Sequence, residues 1–285
     1  IIGEDFSLTW HDFDKKVTEL IKVLNHNGCG DIASPVIVYG HKSANMIVAF
    51  YALMKLNINY IPIDESYPDE RISTIIKEAG CELIIKTSER KNIDSISEIK
   101  LSVNEPQFIN KGKVTPRKNT PEDPVVYTIF TSGSTGKPKG VQISTEAIQS
   151  FSRWMSGTDF EFQSTEIFVN TAILSFDLSV FEVMSFSVLG ATLLLNGKNT
   201  VSNPQLFLNR IKTHKGSVWV STPSFALIFE RMESAEELTN ITTFLFCGEI
   251  LPTVLVKGLL AKYAARVINT YGPTEATVAT TFVDI

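Results

Sequence analysis

The chain has 285 residues, of which 44% are hydrophobic and 20% charged, and its formal net charge is −5. This length and composition are typical of a globular protein with one large domain or two smaller ones. The acidic balance argues against a general nucleic-acid binder, no apolar run reaches the length of a membrane span, and no signal peptide opens the chain.

Hydrophobic residues alternate between helical and strand patterns along the chain. Phe13, Val17, Leu20 and Leu24 recur at the spacing of one helical face. We predict further helices at 43–56, 68–79, 145–156, 178–189, 204–214, 224–232 and 252–263. We predict strands at 35–39, 59–63, 82–85, 125–130, 166–170, 192–195, 217–220, 243–246 and 266–268. Residues 87–124 are polar and rich in proline, and we interpret them as a surface excursion.

This alternation predicts an α/β fold with mostly parallel sheets flanked by helices. We expect two layered αβα subdomains, at about 1–165 and 166–285. The three cysteines, Cys29, Cys81 and Cys247, are odd in number and widely spaced, which fits neither a disulfide framework nor a zinc site. A reducing, cytoplasmic setting is the simplest expectation.

The segment after the strand at 125–130 has the composition of a phosphate-binding loop. Glycine lets the backbone approach an anion closely, and hydroxyl and lysine side chains add donors and positive charge. The candidate residues are Thr131, Ser132, Gly133, Ser134, Thr135, Gly136, Lys137 and Lys139. The common nucleotide-binding P-loop does not fit, because Pro138 follows Gly136-Lys137 where a hydroxyl residue is required. A solvated turn is the other interpretation of this composition.

Thr131–Gly140 resembles the signature loop of adenylate-forming enzymes, which include acyl-CoA synthetases and the adenylation domains of nonribosomal peptide synthetases. The resemblance extends over nearly the whole chain and implies ATP and Mg²⁺ as cofactors. It also implies that Lys137 or Lys139 neutralises phosphate charge.

Asp177 lies between Phe176 and Leu178 at the start of a predicted helix. From the residues alone, it is either a helix cap or a buried carboxylate that awaits a cation. In the amino-acid-activating branch of the family, the aspartate of this motif binds the substrate α-amino group. The resemblance therefore favours an amino-acid activator over an acyl-CoA synthetase.

Two later segments also match the family. Gly248 and Glu249 follow a predicted strand, and the resemblance implies that they face the adenine. Cys247 has no histidine nearby in sequence, so we interpret it as a small buried hydrophobic residue rather than a nucleophile. The resemblance implies that it forms a wall of the amino-acid pocket.

In the segment 269–278, the resemblance implies that Asn269, Thr270 and Tyr271 surround the adenine. Gly272 and Pro273 make a tight turn. Thr274 would contact the α-phosphate or the substrate carboxylate, and Glu275 would hold magnesium. Without the resemblance, Tyr-Gly-Pro-Thr is also a plausible surface turn.

Family positions carried over one at a time predict an amino-acid pocket of mainly apolar residues. They are Asp177, Leu178, Phe181, Val220, Leu245, Cys247, Thr270, Val278 and Ala279. A small aliphatic amino acid is implied. The motifs are most similar to the subfamily that activates D-alanine for a carrier protein, in which the cysteine before Gly-Glu favours the D form.

The implied reaction forms an aminoacyl-AMP and then transfers the acyl group to the phosphopantetheine thiol of a carrier protein. The alternative within the family is a peptide-synthetase module for a small L-amino acid; an acyl-CoA synthetase and a non-catalytic nucleotide-binding fragment are disfavoured. Family members continue into a mobile C-terminal domain, so we expect that domain to be absent and this chain to be weakly active or inactive alone.

Overall fold

A computed structural model describes residues 1–4, 6–88, 97–101, 106–110, 114–132, 138–230 and 238–285. They form two compact units. The N-terminal unit comprises Asp5–Ile148 and Ile173–Ser175, and the C-terminal unit comprises Ile1–Glu4, Gln149–Ala172 and Phe176–Ile285. Residues 149–165, which the sequence analysis assigned to the first subdomain, are thus grouped with the C-terminal unit.

The N-terminal unit is built on one mostly parallel sheet. Its elements are α1 (Trp10–His26), β1 (Val36–Gly40), α2 (Ala44–Lys55), β2 (Tyr60–Asp64), α3 (Asp69–Ala79), β3 (Leu83–Lys86), β4 (Ser97–Leu101), β5 (Pro106–Asn110), β6 (Val125–Ser132) and β7 (Pro138–Ser144). The strand order is β5-β4-β3-β1-β2-β6-β7. The pairs β4–β5 and β6–β7, at the two edges, are antiparallel.

Local sequence accounts for the predicted elements of this unit. The Thr9 hydroxyl accepts a hydrogen bond from the Asp12 N–H and caps α1, and Phe13, Val17 and Leu20 are buried on one helical face. Every residue of β1 is buried, as expected for a parallel strand that is covered on both faces. The expected mostly parallel α/β fold is confirmed.

The edge strands were not foreseen. Residues 97–110 were interpreted as part of a surface excursion, but β4 pairs in parallel with β3 and buries Ile99 and Leu101. That interpretation was wrong for β4 and β5. Short strands with mixed polarity carry little periodic signal, and their hydrogen-bonding partners lie elsewhere in the chain.

The C-terminal unit is built on a second sheet, in the order β13-β12-β11-β10-β8-β9. From α4 onwards the elements are α4 (Thr145–Met155), β8 (Ile167–Val169), α5 (Ser179–Leu189), β9 (Thr192–Leu194), α6 (Lys198–Ser202), α7 (Pro204–His214), β10 (Val218–Ser221), α8 (Pro223–Glu230), β11 (Thr243–Phe246), α9 (Thr253–Lys262), β12 (Arg266–Tyr271) and β13 (Thr281–Asp284). Strands β8 to β12 pair in parallel, and β13 is antiparallel to β12.

A largely aromatic core supports this sheet. The Trp219 indole lies edge-on to the ring of Phe207 and within 5.2 Å of the ring centroid of Phe229. The core packs against β10 and β11. The carboxyl end of β11 leads into Cys247 and Gly248, two of the predicted site residues. Over the described part of the chain, the helices are all too short or too polar to cross a bilayer.

Candidate functional site

The candidate site lies at the carboxyl ends of three neighbouring parallel strands. In the register of β10, β11 and β12, Ser221 is opposite Phe246, and Phe246 is opposite Asn269. The chain then leaves these strands through Thr222, Cys247 and Gly272. Carboxyl ends of parallel strands are the usual ligand-binding edge of an α/β sheet.

A cavity of about 160 Å³ opens at this edge. Its walls combine the start of α5 with the loops after β11 and β12. The lining residues are Phe176, Asp177, Leu178, Cys247, Gly248, Gly272, Pro273, Thr274 and Val278.

Four of the nine predicted pocket residues line this cavity: Asp177, Leu178, Cys247 and Val278. The other five are buried in the C-terminal unit but are not among the described lining residues; they are Phe181, Val220, Leu245, Thr270 and Ala279. The predicted nucleotide residues Gly248, Gly272, Pro273 and Thr274 contribute walls as well. Phe176 also lines the cavity, although it was not among the predicted pocket residues.

Asp177 is the acidic group of the cavity, and only 9% of it is exposed. The Thr274 hydroxyl donates a hydrogen bond of 2.5 Å to its Oδ2 atom. The N-cap of α5 is Leu178, and no side-chain hydrogen bond caps the helix. The Asp177 carboxylate therefore does not form a side-chain cap of α5, although it accepts a hydrogen bond from the Leu178 N–H.

The surroundings of Asp177 disfavour its charged form. Burial raises the pKa of the carboxyl, and the nearby Glu275 carboxylate raises it further. The Thr274 hydroxyl and the Leu178 N–H act in the opposite direction, but the net pKa stays above the ordinary value of 3.8. A ligand cation at this position would stabilise the carboxylate and lower its pKa.

Cys247 forms part of the apolar wall. The residue is 4% exposed, and its Sγ atom lies 3.9 Å from the Val278 carbonyl oxygen. Burial raises the thiol pKa, with a further contribution from Asp177, so the neutral thiol is favoured. These surroundings suit a wall residue and not a thiolate nucleophile.

The loop after β11 is held by its own contacts. Gly248 has a φ of +89°, a conformation that favours glycine. The Glu249 carboxylate accepts hydrogen bonds of 2.9 Å from the Ser224 N–H and 2.8 Å from the Ser224 hydroxyl, near the start of α8. Glu249 thus links two segments of the site's edge, and its predicted contact with adenine stays a prediction.

The end of β12 offers groups that fit a purine. The Asn269 Oδ1 atom is buried and has no hydrogen-bond partner among the described residues. An exocyclic amine would satisfy such an acceptor. Tyr271 is 73% exposed and presents a flat ring, whereas the Thr270 hydroxyl already donates to the Phe246 carbonyl at 2.9 Å.

The turn after β12 brings Thr274 into the cavity wall and places Glu275 close enough to Asp177 to affect its pKa. A Cβ atom on Gly272 would lie 2.5 Å from the Ala279 Cα, so glycine permits the two backbone segments to pack closely. Thr277 and Val278 have φ values of +60° and +70°, which are rare for β-branched residues. No sequence signal identified Thr277 as part of this turn.

Glu275 is the residue predicted to hold magnesium. It lies in a short 3-10 helix, Thr274–Ala276, and is exposed. An exposed carboxylate fits Mg²⁺, which takes oxygen ligands and is usually held by one or two carboxylates together with substrate phosphates. Among the described residues, no group of three or more His, Cys, Asp or Glu side chains is placed to hold a metal ion.

The predicted phosphate loop belongs to the N-terminal unit. Gly133, Ser134, Thr135, Gly136 and Lys137 lie outside the described residues. Thr131 and Ser132 end β6, and Lys139 is opposite Thr131 in the antiparallel strand β7. The structure therefore describes only the two strands beside the loop, with Lys139 exposed on β7. Phosphate binding by the loop stays a prediction.

Comparisons with known proteins find relatives that are more than one third identical to this chain. The chain is 38% identical over 290 residues to a D-alanine–D-alanyl carrier protein ligase of Bacillus licheniformis. This match covers 100% of the present chain and 57% of the relative. It is 40% identical over 289 residues to the protein of the same name from Bacillus velezensis. This second match covers 99% of the present chain and 56% of the relative. The chain thus spans little more than half the length of these relatives.

The fold and the family can be stated from two further comparisons. The crystal structure of CmiS6 has a TM-score of 0.88 at 22% identity, covering 100% of this chain and 69% of that one, and thus has the same fold. The family model described as AMP-binding enzyme matches residues 1–285. The chain belongs to the AMP-binding enzyme family.

Proposed function

We propose that this chain carries the amino-acid-binding core of an ATP-dependent ligase that activates D-alanine. The observation that carries the proposal is the buried Asp177 carboxylate in a small, otherwise mostly apolar cavity. A buried carboxylate is costly unless a cation pairs with it, and the α-ammonium group of an amino acid is such a cation.

The size of the cavity supports a very small substrate. An engineered cavity of about 150 Å³ in another protein holds benzene, which has six non-hydrogen atoms. Alanine also has six non-hydrogen atoms, and the cavity here is about 160 Å³. Leu178, Cys247 and Val278 offer no strong polar partner to a substrate side chain, which favours methyl over an amide or a charge.

The proposed reaction has two steps. The D-alanine carboxylate attacks the α-phosphorus of ATP, forming the P–O bond of aminoacyl-AMP and releasing pyrophosphate. The phosphopantetheine thiol of a carrier protein then attacks the acyl carbon, forms a thioester and releases AMP. Both relatives described above are named as ligases of D-alanine and a carrier protein, which supports these two reactants.

The chain's own residues would act by positioning and by charge. Asp177 holds the ammonium, and Asn269 and Tyr271 bind the adenine. Lys137 and Lys139 offset the phosphate charge. Magnesium, held by Glu275, would supply further positive charge at the phosphate oxygens.

We assign the stereochemical preference to the part of the cavity wall formed by Cys247 and Val278. Cys247 and Val278 contact each other across 3.9 Å, which limits the space beside Asp177. We propose that this wall accepts the methyl group of D-alanine better than that of L-alanine.

We also propose that the protein works in the reducing cytoplasm. The three cysteines, Cys29, Cys81 and Cys247, are free and buried, which supports this setting.

Asp177→Asn tests the proposal, because it removes the charge and preserves the shape. We expect D-alanine affinity to fall by about 30-fold or more, since one partner of a buried charge pair is lost. ATP affinity should stay the same. Isothermal calorimetry with D-alanine, L-alanine and ATP measures all three affinities, and Asp159→Asn is the matched control because Asp159 is exposed in the same unit.

Two outcomes would change the proposal. Unchanged D-alanine affinity in Asp177→Asn would remove the ammonium-binding role. Tighter binding of L-alanine than of D-alanine by the unmodified chain would favour the alternative function, a peptide-synthetase module for a small L-amino acid.

A further inference from the structure

The hydrogen bond between Thr274 and Asp177 joins two groups that the proposed reaction needs separately. The Thr274 Oγ1 atom lies 2.5 Å from the Asp177 Oδ2 atom, and the two residues are 97 positions apart in the chain. Both residues line the cavity. A substrate ammonium and the Thr274 hydroxyl are therefore donors to the same carboxylate.

The Oδ2 atom of Asp177 is already bonded to the Thr274 hydroxyl at 2.5 Å. Asp177 is 9% exposed, and the backbone N–H of Leu178 also bonds to its side chain. Because Asp177 and Thr274 both line the cavity, an ammonium that binds there competes with the Thr274 hydroxyl for Oδ2. Hydrogen bonds with a charged donor and a charged acceptor are shorter and stronger than those of a neutral hydroxyl, so the ammonium prevails.

The displaced hydroxyl then needs a new acceptor. Leaving a part-buried hydroxyl without a partner is costly, and a threonine side chain can turn to another staggered rotamer. In an α-amino acid the carboxylate is bonded to the same carbon atom as the ammonium. It therefore arrives beside Thr274 together with the group that displaces the hydroxyl.

We propose that the substrate ammonium displaces the Thr274 hydroxyl from Asp177, and that the released hydroxyl then donates to the substrate carboxylate. Thr274 is thereby a positioning residue that orients the attacking carboxylate only when the ammonium is in place. This inference rests on the proposed function of the same cavity. It explains how the site rejects carboxylic acids that lack an α-amino group, because they leave Thr274 bound to Asp177.

Thr274→Val tests the exchange with two ligands, D-alanine and ethylamine. Ethylamine is D-alanine without its carboxylate. It should bind the variant about three- to tenfold more tightly than the unmodified chain, because no hydroxyl has to be displaced and left without an acceptor. The affinity for D-alanine should change less than that for ethylamine. In the unmodified chain, the Thr274 hydroxyl loses the Asp177 carboxylate as an acceptor but gains the carboxylate of D-alanine. NMR titration at a pH where Asp177 is ionised measures both affinities.

Two further variants make the test specific. Thr274→Ser keeps the hydroxyl and should restore the original ratio of the two affinities. Thr280→Val removes an exposed threonine hydroxyl that bonds to the Tyr271 carbonyl, outside the cavity lining, and should leave both affinities unchanged.

The results separate this inference from the proposed function. If Thr274→Val changes both affinities by the same factor, the hydroxyl stays on Asp177 and the exchange is wrong, while the amino-acid assignment stands. If the unmodified chain binds neither ligand, the amino-acid assignment fails and the exchange fails with it.

Discussion

At the residue scale, the chemistry of the site depends on how Asp177 is buried. The other side chains that line the cavity are mainly apolar, apart from the Thr274 hydroxyl. A bound cation would therefore lower the free energy of the ionised carboxylate strongly. The sequence alone allowed both a helix cap and a cation site at this position. The structure shows no side-chain cap of α5, and the burial of Asp177 supports the proposed cation site.

Amino-acid binding should depend on pH through Asp177. Its pKa is raised mainly by burial, and the ammonium binds the ionised carboxylate. Affinity should be full above this raised pKa and should fall as the pH drops through it, at a higher pH than for an ordinary aspartate. Calorimetric titration of D-alanine across the acid range measures this fall. Asp177→Asn should show weak binding with no such step, and an identical step in that variant would assign the titration to another group.

Cys247→Ala should weaken stereochemical selection. Removing the sulfur enlarges the cavity beside Val278, so L-alanine should gain access and the ratio of D-alanine to L-alanine affinity should fall by about tenfold or more. Competition binding with the two enantiomers gives the ratio. Cys81→Ala is the matched control, because Cys81 is buried in the core of the N-terminal unit and should change stability but not the ratio. An unchanged ratio in Cys247→Ala would remove the wall from the explanation.

At the element scale, the turn after β12 shapes the site through backbone geometry. Thr277 and Val278 adopt left-handed φ values, and Gly272 lets the returning chain pack closely. Strain of this kind costs about 1–3 kcal/mol per residue and persists only when its surroundings hold it in place. The motif predicted the turn from Gly272 and Pro273, but the left-handed pair has no sequence signature.

Gly272→Ala should disrupt this turn. The new Cβ would lie 2.5 Å from the Ala279 Cα and 2.9 Å from the Val278 oxygen, both backbone atoms that cannot move independently. We expect a loss of about 1–3 kcal/mol in unfolding free energy together with weaker D-alanine binding. Chemical denaturation and calorimetry measure the two effects.

Gly190→Ala provides the comparison for that prediction. Gly190 ends α5 with a φ of +70° and has open space around its Cβ position. Its substitution should cost about 1–2 kcal/mol through backbone strain and leave D-alanine affinity unchanged. Equal binding by both alanine variants would show that the close packing at Gly272 does not shape the cavity.

At the scale of the whole molecule, each unit has a hydrophobic core cluster of its own among the described residues. Leu255 belongs to the core of the C-terminal unit, and Ile63 to that of the N-terminal unit. Both side chains are fully buried. A truncation in either core therefore removes packing within one unit.

Leu255→Ala and Ile63→Ala should each destabilise mainly the unit that contains the change. Truncation of a buried Leu or Ile to Ala costs about 2–5 kcal/mol. Native-state hydrogen exchange should show the loss of amide protection in β11 and β12 for Leu255→Ala, and in β1 and β2 for Ile63→Ala. A uniform loss of protection in both variants would show that the units unfold together.

The sequence by itself determined the α/β alternation, the central parallel strands, the family and the choice of Asp177. These features are local, because helix and strand periods, caps and contiguous motifs are written in neighbouring residues. Tertiary structure decided the rest. Pairing added β4, β5, β7 and β13 to the sheets, folding brought Thr274 to Asp177, and close backbone packing holds Val278 in its left-handed conformation. The contact between Thr274 and Asp177 joins residues 97 positions apart. The pairing of β5, β7 and β13 depends on backbone hydrogen bonds to a neighbouring strand, which the period of nearby side chains does not encode.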